Sequence, residues 1–165
     1  MTDLIKKYAT EHKLLMHTEE KPTFFYELSS SKIMLNFSEF LTQQRYAGKN
    51  IVVVQFAGDG AVFGPSIDQR LRSYTGSIFF LSKIDSREKE GRKKAIRTAI
   101  TIWEDFDDRL ITETRAAKIK EKIDTTSIGI HVLGLLGDMY TGIVVNMSFL
   151  ESRSPKKRDV WTALQ

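Results

Sequence analysis

The chain has 165 residues, 41% of them hydrophobic and 28% charged, which is enough apolar content for one packed domain. It contains no cysteine, which excludes disulfides and thiolate metal sites, and no apolar run of about eighteen residues that would span a membrane as a helix. The net charge of +4 and pI of about 9.2 are mildly basic, and 25 Lys and Arg are interleaved with 21 Asp and Glu rather than collected in one tract.

The N-terminal stretch MTDLIKKYATEHK has no uninterrupted apolar segment and does not read as a secretory signal. Leu4, Ile5, Tyr8, Ala9, Leu14 and Leu15 recur at near-helical spacing, which predicts a helix over 3–20 capped by Thr2 or Asp3 and ended by Pro22. Phe24, Phe25, Tyr26 and Leu28 predict a short strand or loop packed on the core, and residues 37–45 a helical turn ending near Gly48. Ile51–Ala57, IVVVQFA, is a strand. Its β-branched and nearly continuous apolar run implies burial on both faces. Residues 58–76 hold several glycines and Pro65 and predict a long irregular loop. Ser77–Ile84 is the next strand, antiparallel to the first because no crossover helix separates them.

A long amphipathic helix is expected over Arg87–Lys122, with Asp85 or Ser86 as its cap. Ile96, Ala99, Ile100, Trp103, Phe106 and Leu110 form one apolar stripe. A break is expected near Thr112–Thr114, after which Ala116, Ile119 and Ile123 continue on one helix face. Two strands follow, over 127–136 and 140–150, joined at Gly137-Asp138. In the last, Ile143, Val145, Met147 and Phe149 alternate with a mixed face, as in a half-exposed antiparallel sheet. The fold class is therefore α+β: a mostly antiparallel sheet of about four strands, with a long amphipathic helix and an N-terminal helix packed on it. Residues 1–151 form the single domain and 152–165 a charged, extended tail.

Residue chemistry points to no reaction. His12 and His17 lie five apart, not at the spacing of four that puts two ligands on one helix face, and His131 has no carboxylate near it in sequence. Glu104, Asp105, Asp107 and Asp108 have the chemistry to hold a hard cation, but Trp103 and Phe106 turn inward and leave these carboxylates on the outer, solvated side. The Gly58–Ser66 segment, GDGAVFGPS, follows a strand but has Pro65 where a phosphate-binding loop carries lysine. Neither Ser66 nor Ser77 has the glycine elbow of a hydrolase nucleophile. No catalytic, cofactor or metal residue is assigned. Basic runs stand at Arg92-Lys93-Lys94 and Lys156-Lys157-Arg158, and a solvated helix start and tail are the favoured reading of both.

Aromatic and apolar residues placed in loops or the tail are the candidate contacts with neighbours. They are Phe63 and Tyr74 in the long loop, Tyr140 beside the last turn, and Val160, Trp161 and Leu164, a small hydrophobic hook in the tail. Docking of that tail on its own domain is the equal alternative.

The order of elements, with TEHKLLMH followed by FFYEL, then IVVVQFAG, then IFFLSKID running into the long helix, and GDMYTGIVVNMSFLES closing the chain, resembles tail terminator (tail completion) proteins of long-tailed bacteriophages. The likeness is closest to a divergent Bacteroidetes-phage type and extends to about residue 151. It rests on patterns of residue type. The resemblance implies a non-enzymatic virion protein assembled in the host cytoplasm, without cofactor. Such a protein forms a homo-oligomeric, hexameric ring at the head-proximal end of the tail tube. It stops tube growth, meets the head–tail connector proteins, and lets DNA pass its lumen without sequence readout. A ring requires a head-to-tail interface that closes. Other classes stay open: another neck or connector protein of similar fold, a nucleic-acid-binding module using Arg92–Lys94 and the tail, or a metal-dependent enzyme acting through Glu104–Asp108.

Overall fold

The computed structural model describes residues 2–27, 50–56, 60–63, 71–85, 90–116, 122–136 and 139–152. Among them the chain forms helices α1 (Thr2–Glu11) and α2 (Gly91–Arg115) and strands β1 (Phe24–Glu27), β2 (Ile51–Phe56), β3 (Gly60–Phe63), β4 (Leu71–Lys83), β5 (Lys122–Leu136) and β6 (Tyr140–Ser152). The sheet order is β1-β2-β4-β6-β5, with β3 paired to the first residues of β4. The α+β class is as expected. The sheet differs in being mixed and wider than four strands, because β1 joins β2 in parallel and β3 adds a further segment.

Long β4 organises the sheet. Its whole length pairs with β6, from Leu71↔Ser152 to Lys83↔Tyr140, and its other edge takes β2 and then β3 end to end. Two apolar rows cross all five main strands on one face: Phe24–Val53–Phe80–Ile143–Val132 and Tyr26–Gln55–Ile78–Val145–Ile130. Helix α2 lies over the middle of these rows, on β4 and β6. It lowers Ala95, Ala99, Ile102, Trp103, Phe106 and Leu110 onto them at steps of three and four. Phe80 meets Trp103 and Phe106 at ring-centroid distances of 5.7 and 5.3 Å, and Tyr8 of α1 meets Phe106 edge-on at 5.6 Å. The opposite face carries a second cluster of Val52, Val54, Phe56, Leu81 and Tyr140. Ile51–Phe56 thus has buried side chains on both faces, as its continuous apolar run implied.

Several expectations are corrected. Helix α1 stops at Glu11, not at residue 20. His12 and His17 therefore lie beyond the helix, and between them Met16 takes a left-handed φ of 43°. Residues 60–63 and 71–76 are paired strand, not loop, so Phe63 and Tyr74 are ladder positions: Phe63 pairs with Leu71, and Tyr74 with Gly60 and Phe149. Helix α2 runs unbroken through Thr112–Thr114 to Arg115, and Ile123 belongs to β5 rather than to a helix face. Its N-cap is Glu90, with no side-chain capping bond, in place of Asp85 or Ser86. Tyr140 opens β6 and is 1% exposed, so it is a core residue and not a surface anchor. The turn at 37–45, Gly137-Asp138 and the tail with Val160, Trp161 and Leu164 lie outside the described residues.

Candidate interaction surfaces

His17 and Glu113, two of the polar residues buried in the described fold, are tied into structure. The His17 ring is buried, and its Nδ1 accepts the backbone N–H of Thr23 at 3.0 Å and of Phe24 at 3.2 Å. This fixes the start of β1 to the turn after α1. Burial first, and the Lys6 charge second, hold the His17 pKa below its ordinary value, so the ring stays a neutral acceptor. His12 Nδ1 accepts the Leu14 N–H at 3.2 Å, so Nε2 carries the hydrogen that faces Asp105 Oδ2 at 3.0 Å. That pair joins the end of α1 to α2.

A second polar cluster lies further along α2. Glu113 accepts from the Tyr8 hydroxyl at 3.0 Å, from Arg109 Nε at 3.2 Å and from Lys7 at 3.3 Å. Arg109 also reaches Glu11, and its guanidinium lies 4.5 Å from the centre of the Tyr8 ring. Burial pushes the Glu113 carboxyl up, but the bonds from Arg109, Tyr8 and Lys7 outweigh it and hold the group below its ordinary value. Burial, followed by the Glu113 bond and charge, raises the Tyr8 phenol well above its own. The His12–Asp105 pair and the Glu113 cluster clamp α1 onto α2. Of the acidic cluster, Glu104, Asp105 and Asp108 are exposed and Asp107 is half-buried. The Asp107 carboxyl is raised by burial and by Asp108. These carboxylates lie on the outer side of α2, where the sequence put them.

A cleft of about 470 Å³ opens at the start of α2, lined by Asn50, Ser82, Lys83, Asp85, Lys94 and Thr98 among others. Gly91 forms its tight corner: a Cβ there would overlap the Asp85 carbonyl oxygen. Arg92, Lys93 and Lys94 are exposed on the first turn, with Lys93 3.6 Å from Glu90.

The described surface departs most from an ordinary polar exterior at β5. Val132 is 60% exposed and Ile130 50%, yet their row neighbours Ile143 and Val145 are fully buried. The apolar rows run one strand beyond the helix layer. Leu135, 55% exposed, follows at a bulge where Gly134 and Leu135 stand opposite Thr141. No protein-family model matches this chain, and no curated protein matches it in sequence.

Of the six candidate contacts, Tyr140 is withdrawn into the core. Phe63 and Tyr74 are brought into one sheet segment at the β3–β4 end, far along β4 from Tyr140, which pairs with Lys83. The exposed residues of β5 are not among the six. A signal for them is present in the chain: from Thr125 to Gly137 there is no Lys, Arg, Asp, Glu or Pro. A charge-free edge strand lacks the usual protection against pairing.

Proposed function

We propose that this chain is a structural virion protein. It caps the head-proximal end of a phage tail tube as a homo-oligomeric ring and joins it to the head–tail connector, without catalysis. The observation that carries the reading is the element order, in which helix, strand, strand, long helix, strand and strand follow one another as in the resemblance, with β1 and β3 as additional strands. Two further features support it. The buried charged and imidazole groups described above serve as clamps between α1, α2 and β1. The exposed surface offers apolar sheet edge, which suits protein partners. Ring closure would use a head-to-tail contact between copies, and the β3–β4 end bearing Phe63 and Tyr74, together with the tail, is the proposed reach toward neighbours.

The test is the solution mass of the purified protein by light scattering over a concentration series, with and without the cognate tail tube. A discrete mass near six subunits, alone or on adding tube, supports the reading. A monomer indifferent to tube protein would sink it. A nucleic-acid-binding module is the second reading, favoured by the exposed Arg92, Lys93 and Lys94 at the start of α2. It requires DNA affinity that falls steeply with salt, and falls again when these three residues become Ala.

A further inference from the structure

Among the described residues, β5 pairs only with β6, and none of them pairs with its other edge. Register breaks on the β6 side, between Asp124 and Gly129 and between Leu133 and Leu136, leave Gly129–Leu133 as the regular stretch. His131 is its midpoint. The stretch is apolar on the helix side, charge-free for several residues beyond each end, and exposed at Ile130 and Val132.

We infer that the β5 edge pairs antiparallel with the β5 edge of a second copy of this chain, about a two-fold axis at His131, joining two sheets into one. Three observations fit a second copy as the occupant. From Thr125 onward β5 carries no Lys, Arg, Asp or Glu, so two copies can meet edge to edge there without placing such a charge in the contact. Antiparallel pairing centred on His131 maps Gly129–Leu133 onto itself, so the whole regular stretch is used and both bulges fall outside it. In that register Ile130 meets Val132 of the other copy twice, which extends each buried row by β-branched pairs, and Leu133 meets Gly129, a bulky side chain against an open position. The contact is isologous. It is separate from the head-to-tail contact of a ring and does not depend on it.

Because the chain has no cysteine, one introduced thiol reports alone. In the proposed pairing residue 131 faces its own counterpart at a Cα separation of roughly 4.5–5.5 Å, within disulfide range. His131→Cys should therefore give a covalent dimer on mild oxidation, while Thr101→Cys, at an exposed position of α2, should not. Val132→Lys places a charge at the centre of the contact and should weaken self-association at least tenfold in sedimentation experiments. Its melting temperature should stay close to that of the unaltered chain measured as monomer, since Val132 already faces solvent there. The inference is overturned if His131→Cys forms no more disulfide dimer than the Thr101→Cys control, or if Val132→Lys leaves every mass unchanged. A six-subunit mass in which the His131→Cys thiols do not join would support the ring while overturning the two-fold contact. A mass of two six-membered rings joined through that disulfide supports both. Removal of residues 153–165 that newly exposes dimerisation would show the tail to be the native occupant, and would also overturn the inference.

Discussion

The Tyr8 hydroxyl donates to Glu113 Oε2 across 3.0 Å, joining α1 to the last turn of α2 over 105 residues of sequence. The bond is charge-assisted and lies in a buried setting beside Arg109, which stacks on the Tyr8 ring and also binds Glu113. Neither residue is free to pair with water instead, so the cost of losing one falls on the other. Glu113→Ala is expected to destabilise the protein by about 2–3 kcal/mol, since it leaves the buried Tyr8 hydroxyl without its acceptor and removes one of the two carboxylates that Arg109 binds. Tyr8→Phe is expected to cost about 1 kcal/mol. Urea unfolding of both variants and the double variant checks this. Strictly additive effects would show that the two side chains do not act as a unit.

His17 makes stability depend on pH near neutrality. Its Nδ1 accepts two backbone N–H groups, so protonating that nitrogen breaks both bonds and places charge in a buried site. The folded pKa lies below the ordinary value of about 6.5, so the unfolded chain binds the proton more readily. The contribution is complete above about pH 6.5 and is lost as the pH falls from there toward the folded pKa. The melting temperature is expected to drop between about pH 7.5 and about pH 5.5, a window that brackets the unfolded value. His17→Asn, whose amide oxygen accepts N–H without titrating, should show a smaller drop. An equal drop in that variant would assign the effect to another group.

Gln55 is a polar residue in an otherwise apolar run. It sits in a buried row between Tyr26 and Ile78, and its Oε1 is buried without a hydrogen-bond partner among the described residues. A desolvated amide oxygen of this kind is a standing cost. Gln55→Leu is expected to raise stability by about 1 kcal/mol, read as a higher urea midpoint at unchanged slope. A lower midpoint would mean that the amide group contributes more through its nitrogen than its oxygen costs.

These residues also show where sequence reading succeeds and where it stops. Ile51–Phe56 and the alternating Ile143–Met147 were legible because burial on two faces, or on one, leaves a direct mark on residue type. The first half of β4 was not. Arg72, Ser73, Thr75 and Gly76 carry no strand pattern, and they are extended because β6 pairs with them along its whole length. Leu14 and Leu15 keep helical spacing beyond the end of helix α1 at Glu11. The Ala9 carbonyl accepts the His17 N–H at 3.1 Å in place of a further helical bond, and that contact leaves no periodic signal. Tyr140 looked exposed because it adjoins a turn, but the register sets it beside Lys83 at the start of a central strand. The exposure of Ile130 and Val132 depends on where the helix layer ends, which apolar periodicity does not encode.

Gly142 marks the tightest approach inside the sheet. A Cβ there would overlap the carbonyl oxygen of Phe80, a backbone atom of β4 held in the ladder on both sides. Backbone in the middle of a sheet cannot swing away as a flexible side chain would, so relief requires β4 and β6 to separate locally. The same segment carries Phe80, which contacts both Trp103 and Phe106, so the shift would reach the helix packing. Gly142→Ala is expected to cost about 2–3 kcal/mol, at the upper end for overpacked sites. Gly134→Ala, where nothing lies within 4 Å of the added methyl, is expected to be neutral or slightly stabilising through the unfolded chain. Thermal unfolding of the two variants under one set of conditions separates a steric cause from a general intolerance of the hairpin to side chains. Equal losses at both positions would overturn the steric account.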